Sequence, residues 1–227
     1  QSFYYFIKPQ PLIRIIKQNH KIYMKKVSTA LVSLILFWNS SFAQDVSKIQ
    51  FSKIDTSLNS CEFIYSDYQS SKYLDSLRRT FKIDEVVANC KSDFEKVLAL
   101  LDWTSNQWRH NGSNESKSGD AISILFEVRK GQNFRCVEYG IVLAATLNSI
   151  GISARTIGLK TEDVETTKSG AGHVATEVYL SDLAKWIFVD PQYGLSPTLN
   201  GTPLNAVELN RAMCDNPQAI KYINKGG

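Results

Sequence analysis

Three side chains in this sequence have the types needed for acyl transfer through a thiol: Cys136, His173 and Asp190. A thiolate attacks a carbonyl carbon, and an imidazole moves protons to and from the reacting atoms. A carboxylate fixes the imidazole's orientation and stabilises its charged form. Histidine is scarce here. Of the three in the chain, His20 falls in a basic leader and His110, beside Asn111-Gly112, reads as a surface-loop residue, which leaves His173.

The stretch 131–151 must position the cysteine. It reads as a tight approach loop followed by a buried helix with Cys136 in its first turn. Asn133 is the expected N-cap, since its side-chain oxygen can accept a bond from an unpaired backbone N–H. Ile141, Val142, Leu143, Ala144, Ala145, Leu147 and Ile150 make most of the helix apolar, so it belongs in the core. Gly151 can adopt the left-handed conformation that ends it. A cysteine at that helix start lies in a positive field among outward-pointing N–H groups, and both favour the thiolate.

The histidine and aspartate are expected on neighbouring strands. Residues 173–180 and 185–190 both alternate, and the turn 181–184 sets Leu180 opposite Lys185. Carried along the pair, that register sets Ala175 opposite Asp190. His173 and Ala175 share a face, so His173 and Asp190 are diagonal neighbours, about 7 Å apart at the backbone and closer at their tips. A slip of one residue would separate them.

Earlier in the chain the pattern is helical. A helix is expected over about 71–81. Ser92 with Glu95 forms a capping box for an amphipathic helix carrying Phe94, Val97, Leu98, Leu101 and Trp108. Asp120 starts a third helix over 121–129. After Gly151, residues 152–159 read as a strand, 194–203 as loop and 203–213 as a terminal helix. Helices followed by a meander of strands is an α+β arrangement.

Composition bounds the remaining classes. A hydrophobic content of 43% and a charged content of 21% are ordinary for a globular chain of 227 residues. The net charge of +4 comes from residues 1–43, which hold six of the 26 Lys and Arg (Lys8, Arg14, Lys17, Lys21, Lys25 and Lys26) and no acidic residue. The remainder has 20 basic against 22 acidic residues, so it offers no electrostatic case for nucleic-acid binding. Met24-Lys25-Lys26, the apolar run 27–38 and Ser41-Phe42-Ala43 together read as a secretory signal cleaved after Ala43. Residues 1–23 precede that start and are expected to lie outside the fold. The apolar run is too short to span a bilayer, so no membrane insertion is expected after cleavage.

Export makes disulfides possible. Cys61, Cys90, Cys136 and Cys214 allow three full pairings. A working Cys136 must stay free, leaving either a further unpaired cysteine or a single bridge, with Cys61–Cys90 the expected one. No C-x-x-C spacing and no carboxylate cluster suggests a metal, and no cofactor is expected.

The chain also resembles the transglutaminase-like superfamily over roughly residues 94–194. The resemblance lies in a Trp-containing helix, a Gly-rich approach to Cys136 and the run Gly151-Ile152-Ser153-Ala154-Arg155 after the cysteine helix. It continues with His173 opening a strand with Glu177-Val178, then Trp186 and Asp190-Pro191. It implies a papain-like α+β core: N-terminal helices, and a central buried cysteine helix packed on an antiparallel sheet. It implies Cys136 as nucleophile, His173 as base and Asp190 as orienting acid, with Trp108 or Gln132 as oxyanion or substrate contacts. It further implies a peptide or protein substrate attacked at an amide bond, by hydrolysis or acyl transfer.

The expected division is 1–43 as upstream segment and signal, 44–91 as an N-terminal extension and 92–227 as the transglutaminase-like catalytic domain. Ala175 stands where the family often has an aromatic residue, and Phe134-Arg135 where many members have smaller or amide residues. Those departures bear on the substrate groove rather than the catalytic order. Two other readings remain open: a secreted module that keeps the fold for binding, and a disulfide protein in which Cys136 pairs with Cys214.

Overall fold

The computed structural model describes residues 4–6, 48, 70–167 and 170–224. The expected signal and its cleavage site lie outside the described residues, as does Cys61. Five helices come first: α1 (Lys72–Thr80), α2 (Ile83–Val87), α3 (Asp93–Ser105), α4 (Ala121–Arg129) and α5 (Cys136–Ser149). Strands β2 (Ala154–Lys160), β3 (Gly172–Leu180) and β4 (Lys185–Val189) follow, and β1 (Tyr4–Phe6) completes a sheet of order β1-β2-β3-β4. A second sheet, β6-β5-β7, is built from β5 (Leu195–Leu199), β6 (Thr202–Pro203) and β7 (Ile220–Asn224), with α6 (Ala206–Asp215) between β6 and β7.

The helices start where short polar side chains can hold their free N–H groups. Ser71 accepts from the Leu74 N–H, Ser92 from that of Glu95, Asp120 from that of Ser123 and Asn205 from that of Glu208. Glu95 reaches back to the Lys91 N–H, one residue before the cap. Leu77, Ile83, Val97, Leu101, Ile124, Leu143 and Leu147 pack with Val178, Ile187 and Val189 in one core, so α5 is enclosed by helices on one side and the sheet on the other. The opposite sheet face buries Ile157, Leu159, Ala175 and Phe188 beneath Ala206 and Leu209 of α6. The sheet is thus apolar on both faces, and each face needs its own helical cover.

The structure corrects the sequence reading after β4. Residues 194–203 are not a loop: Leu195–Leu199 pairs antiparallel with both β6 and β7. Three prolines at 191, 197 and 203 argue against a strand, because proline cannot donate to a ladder. Here Pro197 sits in β5 opposite Tyr222, and its carbonyl still accepts the Leu204 N–H. Tyr4–Phe6 runs parallel to Gly158–Lys160 along the open edge of β2, within the upstream segment that cleavage after Ala43 would remove. Cys90 is a free thiol, and Cys61, its expected partner, lies outside the described residues.

Candidate active site

Cys136 is the first residue of α5, and its cap is Arg135 in extended conformation, not Asn133. Burial explains the difference. Phe134 is 1% exposed and plugs the core edge-on to Trp108, which pulls the chain inward after residue 133. Asn133 ties the loops together: its side-chain oxygen accepts the Arg109 N–H at 3.1 Å, and its carbonyl accepts from Asn114 Nδ2 at 2.7 Å. The capping role passes to Glu138, whose buried carboxylate accepts the Arg135 N–H at 3.2 Å, Arg135 Nη2 at 2.9 Å and the Ser116 N–H at 3.2 Å. A carboxylate three residues into a helix sits well in the helix field, and its lone pairs are satisfied.

Trp108 and Tyr139 brace the same turn. Their rings stack at 4.1 Å, the Tyr139 hydroxyl donates to the Trp108 carbonyl at 2.6 Å, and Trp108 Nε1 donates to the Phe134 carbonyl at 3.3 Å. Burial pushes the Tyr139 phenol up to about 12, so it stays a neutral donor.

His173 is the second residue of β3. The observed register sets Leu180 opposite Lys185 and Thr176 opposite Val189, as the alternation required. His173 Nε2 lies 2.7 Å from Asp190 Oδ2. The other carboxylate oxygen, Oδ1, accepts the N–H groups of Gln192 at 3.0 Å and Tyr193 at 3.2 Å. Backbone bonds with Leu195 hold Asp190 at the end of β4. Its position is thus set before the imidazole meets it. The Tyr193 ring stands 5.9 Å from that of His173 and is 59% exposed, forming an outer wall beside the imidazole.

The sulfur meets the imidazole at the end of a strand rather than through a sheet face. Val178 and Leu180 of β3 point into the α5 core, whereas Ala175 points to the α6 side, and His173 shares the parity of Ala175. Cys136 reaches it beyond the last β4 pair, where the thiol is hydrogen-bonded to the His173 ring and to the Val174 backbone N–H. With Nε2 committed to Asp190, Nδ1 is the nitrogen left for sulfur.

The electrostatics follow from these contacts. Burial pushes the Cys136 thiol up, but its hydrogen bonds to His173 and Val174 and the histidine's charge outweigh that, and the net shift is downward. Burial pulls His173 down, but hydrogen bonds and charge from Asp190 and Cys136 raise it to about 10. Both shifts favour a thiolate beside an imidazolium. The arrangement can therefore hold a nucleophile, a proton carrier and an orienting acid in series. Cys136 is a free thiol, which removes the reading in which it is bridged to Cys214.

Trp108 and Gln132 are not drawn into this series. The Trp108 indole N–H is spent on Phe134. Gln132 is exposed, accepts from Asn114 at 3.5 Å and lines a cavity of about 550 Å³ with Phe126, Glu127 and Lys130. His110 is exposed yet close enough to feel His173: burial and then that charge hold its pKa below the ordinary value. The sequence reading missed Glu138, because an Arg three residues before a Glu is not the Ser- or Thr-led pattern that signals a capping box. Tyr193 carried no signal beyond its closeness to Asp190.

Among the described residues, no helix is long and apolar enough to cross a membrane. No curated protein sequence matches the chain. Three solved structures that resemble it come from different proteins. One, from Cytophaga hutchinsonii and provisionally assigned as a cysteine protease, is 17% identical with a TM-score of 0.42, covering 68% of this chain and 49% of its own. The periplasmic domain of TgpA from Pseudomonas aeruginosa is 20% identical with a TM-score of 0.43, covering 56% and 48%. A protein described as a TGase is 19% identical with a TM-score of 0.39, covering 52% and 31%. The chain spans less than half the length of each. Residues 81–191, which include α3, α4, the cysteine helix, the histidine strand and Asp190, match the family model for the transglutaminase-like superfamily, so this stretch of the chain is transglutaminase-like.

Proposed function

We propose that the protein is an exported thiol enzyme that cleaves or transfers the acyl group of amide bonds in peptides or proteins, with Cys136 as nucleophile, His173 as proton carrier and Asp190 as orienting acid. The observation that carries this reading is one imidazole engaged on both sides, by Asp190 Oδ2 at 2.7 Å and by the Cys136 thiol. The Cys136 thiolate adds to the substrate carbonyl. First-turn N–H groups of α5 are the donors proposed for the developing oxyanion. Collapse breaks the C–N bond, and the leaving amine takes the proton from His173, leaving a thioester on sulfur. Water or an amine then attacks the thioester, His173 accepts its proton, and the thiolate returns. Hydrolysis and acyl transfer differ only in that second nucleophile.

Export rests on the leader ending at Ala43, and mature protein recovered outside the cytoplasm should begin at Gln44. The activity is tested with Cys136→Ala. Turnover in peptide-hydrolysis and amine-incorporation assays should fall by about 10³-fold or more, while the melting temperature stays within a few degrees of wild type, because only one sulfur is removed. A folded variant that turns over at the wild-type rate rules out Cys136 as the nucleophile.

A further inference from the structure

Gly140 lies one turn below Cys136 on the same face of α5, since residues four apart stack along a helix. It is buried mid-helix, where glycine costs about 1 kcal/mol relative to alanine. Its backbone is not left-handed, so conformational freedom does not account for it. Space does. A Cβ built on Gly140 would lie 2.9 Å from Val174 Cγ1, 3.1 Å from Thr156 Cγ2 and 3.6 Å from the Ala175 carbonyl oxygen. The first two distances are shorter than a normal carbon–carbon contact, so the helix could keep its place only if β2 and β3 gave way.

Val174 is touched twice. Its side chain meets Gly140, and its backbone N–H reaches the Cys136 sulfur. His173 is the adjacent residue. We infer that Gly140 is a positioning residue for Cys136: by carrying no side chain it lets α5 close on β3 far enough for the sulfur to reach both the Val174 N–H and the His173 ring. This rests on the thiol-enzyme reading above and names what sets the spacing of its two reacting groups. A methyl group at position 140 would prise the start of α5 away from β3. Hydrogen bonds to sulfur would lengthen first, because they sit one helical turn from the wedge.

The test is the pH profile of Cys136 alkylation by iodoacetamide, followed on the Cys136 peptide by mass spectrometry, in wild type, Gly140→Ala, Val174→Ala and the double variant. Gly140→Ala should fold, as judged by circular dichroism and melting, while its alkylation midpoint rises by about one pH unit, a roughly tenfold loss of thiolate near neutrality. Gly140→Ala with Val174→Ala removes the tighter of the two contacts, leaving only the 3.1 Å approach to the Thr156 methyl group, and should return the midpoint toward that of Val174→Ala. A folded Gly140→Ala with the wild-type profile overturns the inference, and so does a double variant that folds without returning the midpoint. Should Gly140→Ala not fold, rescue of folding and of the Val174→Ala profile in the double variant supports the spacing role, and a double variant that stays unfolded overturns it. The underlying reading fails separately: it is lost if wild-type Cys136 itself titrates like an ordinary cysteine.

Discussion

Asp190 divides its two carboxylate oxygens between two tasks. Oδ1 is consumed by the N–H groups of Gln192 and Tyr193, which lock the turn over Pro191, while Oδ2 holds the imidazole. The charge on Oδ2 helps raise His173 to about 10, so the imidazolium should persist well into alkaline pH. The thiolate–imidazolium pair then exists from the lowered Cys136 pKa up to the raised His173 pKa. Turnover should rise with pH through the first and fall through the second. Asp190→Asn removes a charge that favours protonated His173, so the alkaline limb should move down by about one unit or more, with turnover reduced by about 10²–10⁴-fold and the thiol still open to alkylation. A pH–rate profile of the variant checks this, and an alkaline limb that does not move takes Asp190 out of the mechanism. At this scale the sequence was informative for residues whose chemistry is rare, because one cysteine at a helix start and one histidine at a strand start stand out. Gly140 and Glu138 were not legible as site residues, since a helical glycine and glutamate look ordinary until their neighbours are known.

The elements that carry these residues are held by different forces. Strand β3 is placed by register, which the turn 181–184 and the alternation around it dictate, so the His173–Asp190 approach was readable from sequence. Helix α5 was readable from its apolar length and from Gly151, whose φ of 86° ends it. Its start was not readable to the residue, because the choice between Asn133 and Arg135 as cap depends on where buried Phe134 must go. The second sheet was hidden by its prolines. Glu138 is where the start of α5 is most exposed to mutation. Its side chain is 3% exposed and answers four donors, three from Arg135 and one from Ser116. Glu138→Ala would leave the Arg135 guanidinium, itself about a quarter exposed, and two N–H groups without that partner. The cost should be about 2–3 kcal/mol, below the figure for a fully buried pair because water can reach Arg135. Urea denaturation reads this directly, and a loss under about 0.5 kcal/mol, the range of a plain surface change, would mean that Glu138 does not hold the turn.

Across the whole molecule, one buried helix brings its first residue to the end of a sheet that is packed on both sides. The α+β class followed from the order of helical and alternating patterns, whereas the burial of both sheet faces was not part of that reading, because alternation signals a single buried face. The meeting point itself did not follow from parity, because His173 belongs to the face turned from α5 and reaches sulfur only where β3 runs past its β4 partner. The central claim is that Cys136 and His173 titrate as a pair. The most direct test measures the pH dependence of Cys136 alkylation in wild type and in His173→Ala. Wild-type Cys136 should ionise below the ordinary thiol value of about 8.5, and His173→Ala should move it upward. Superimposable profiles in the two proteins, with both folded, would contradict the account.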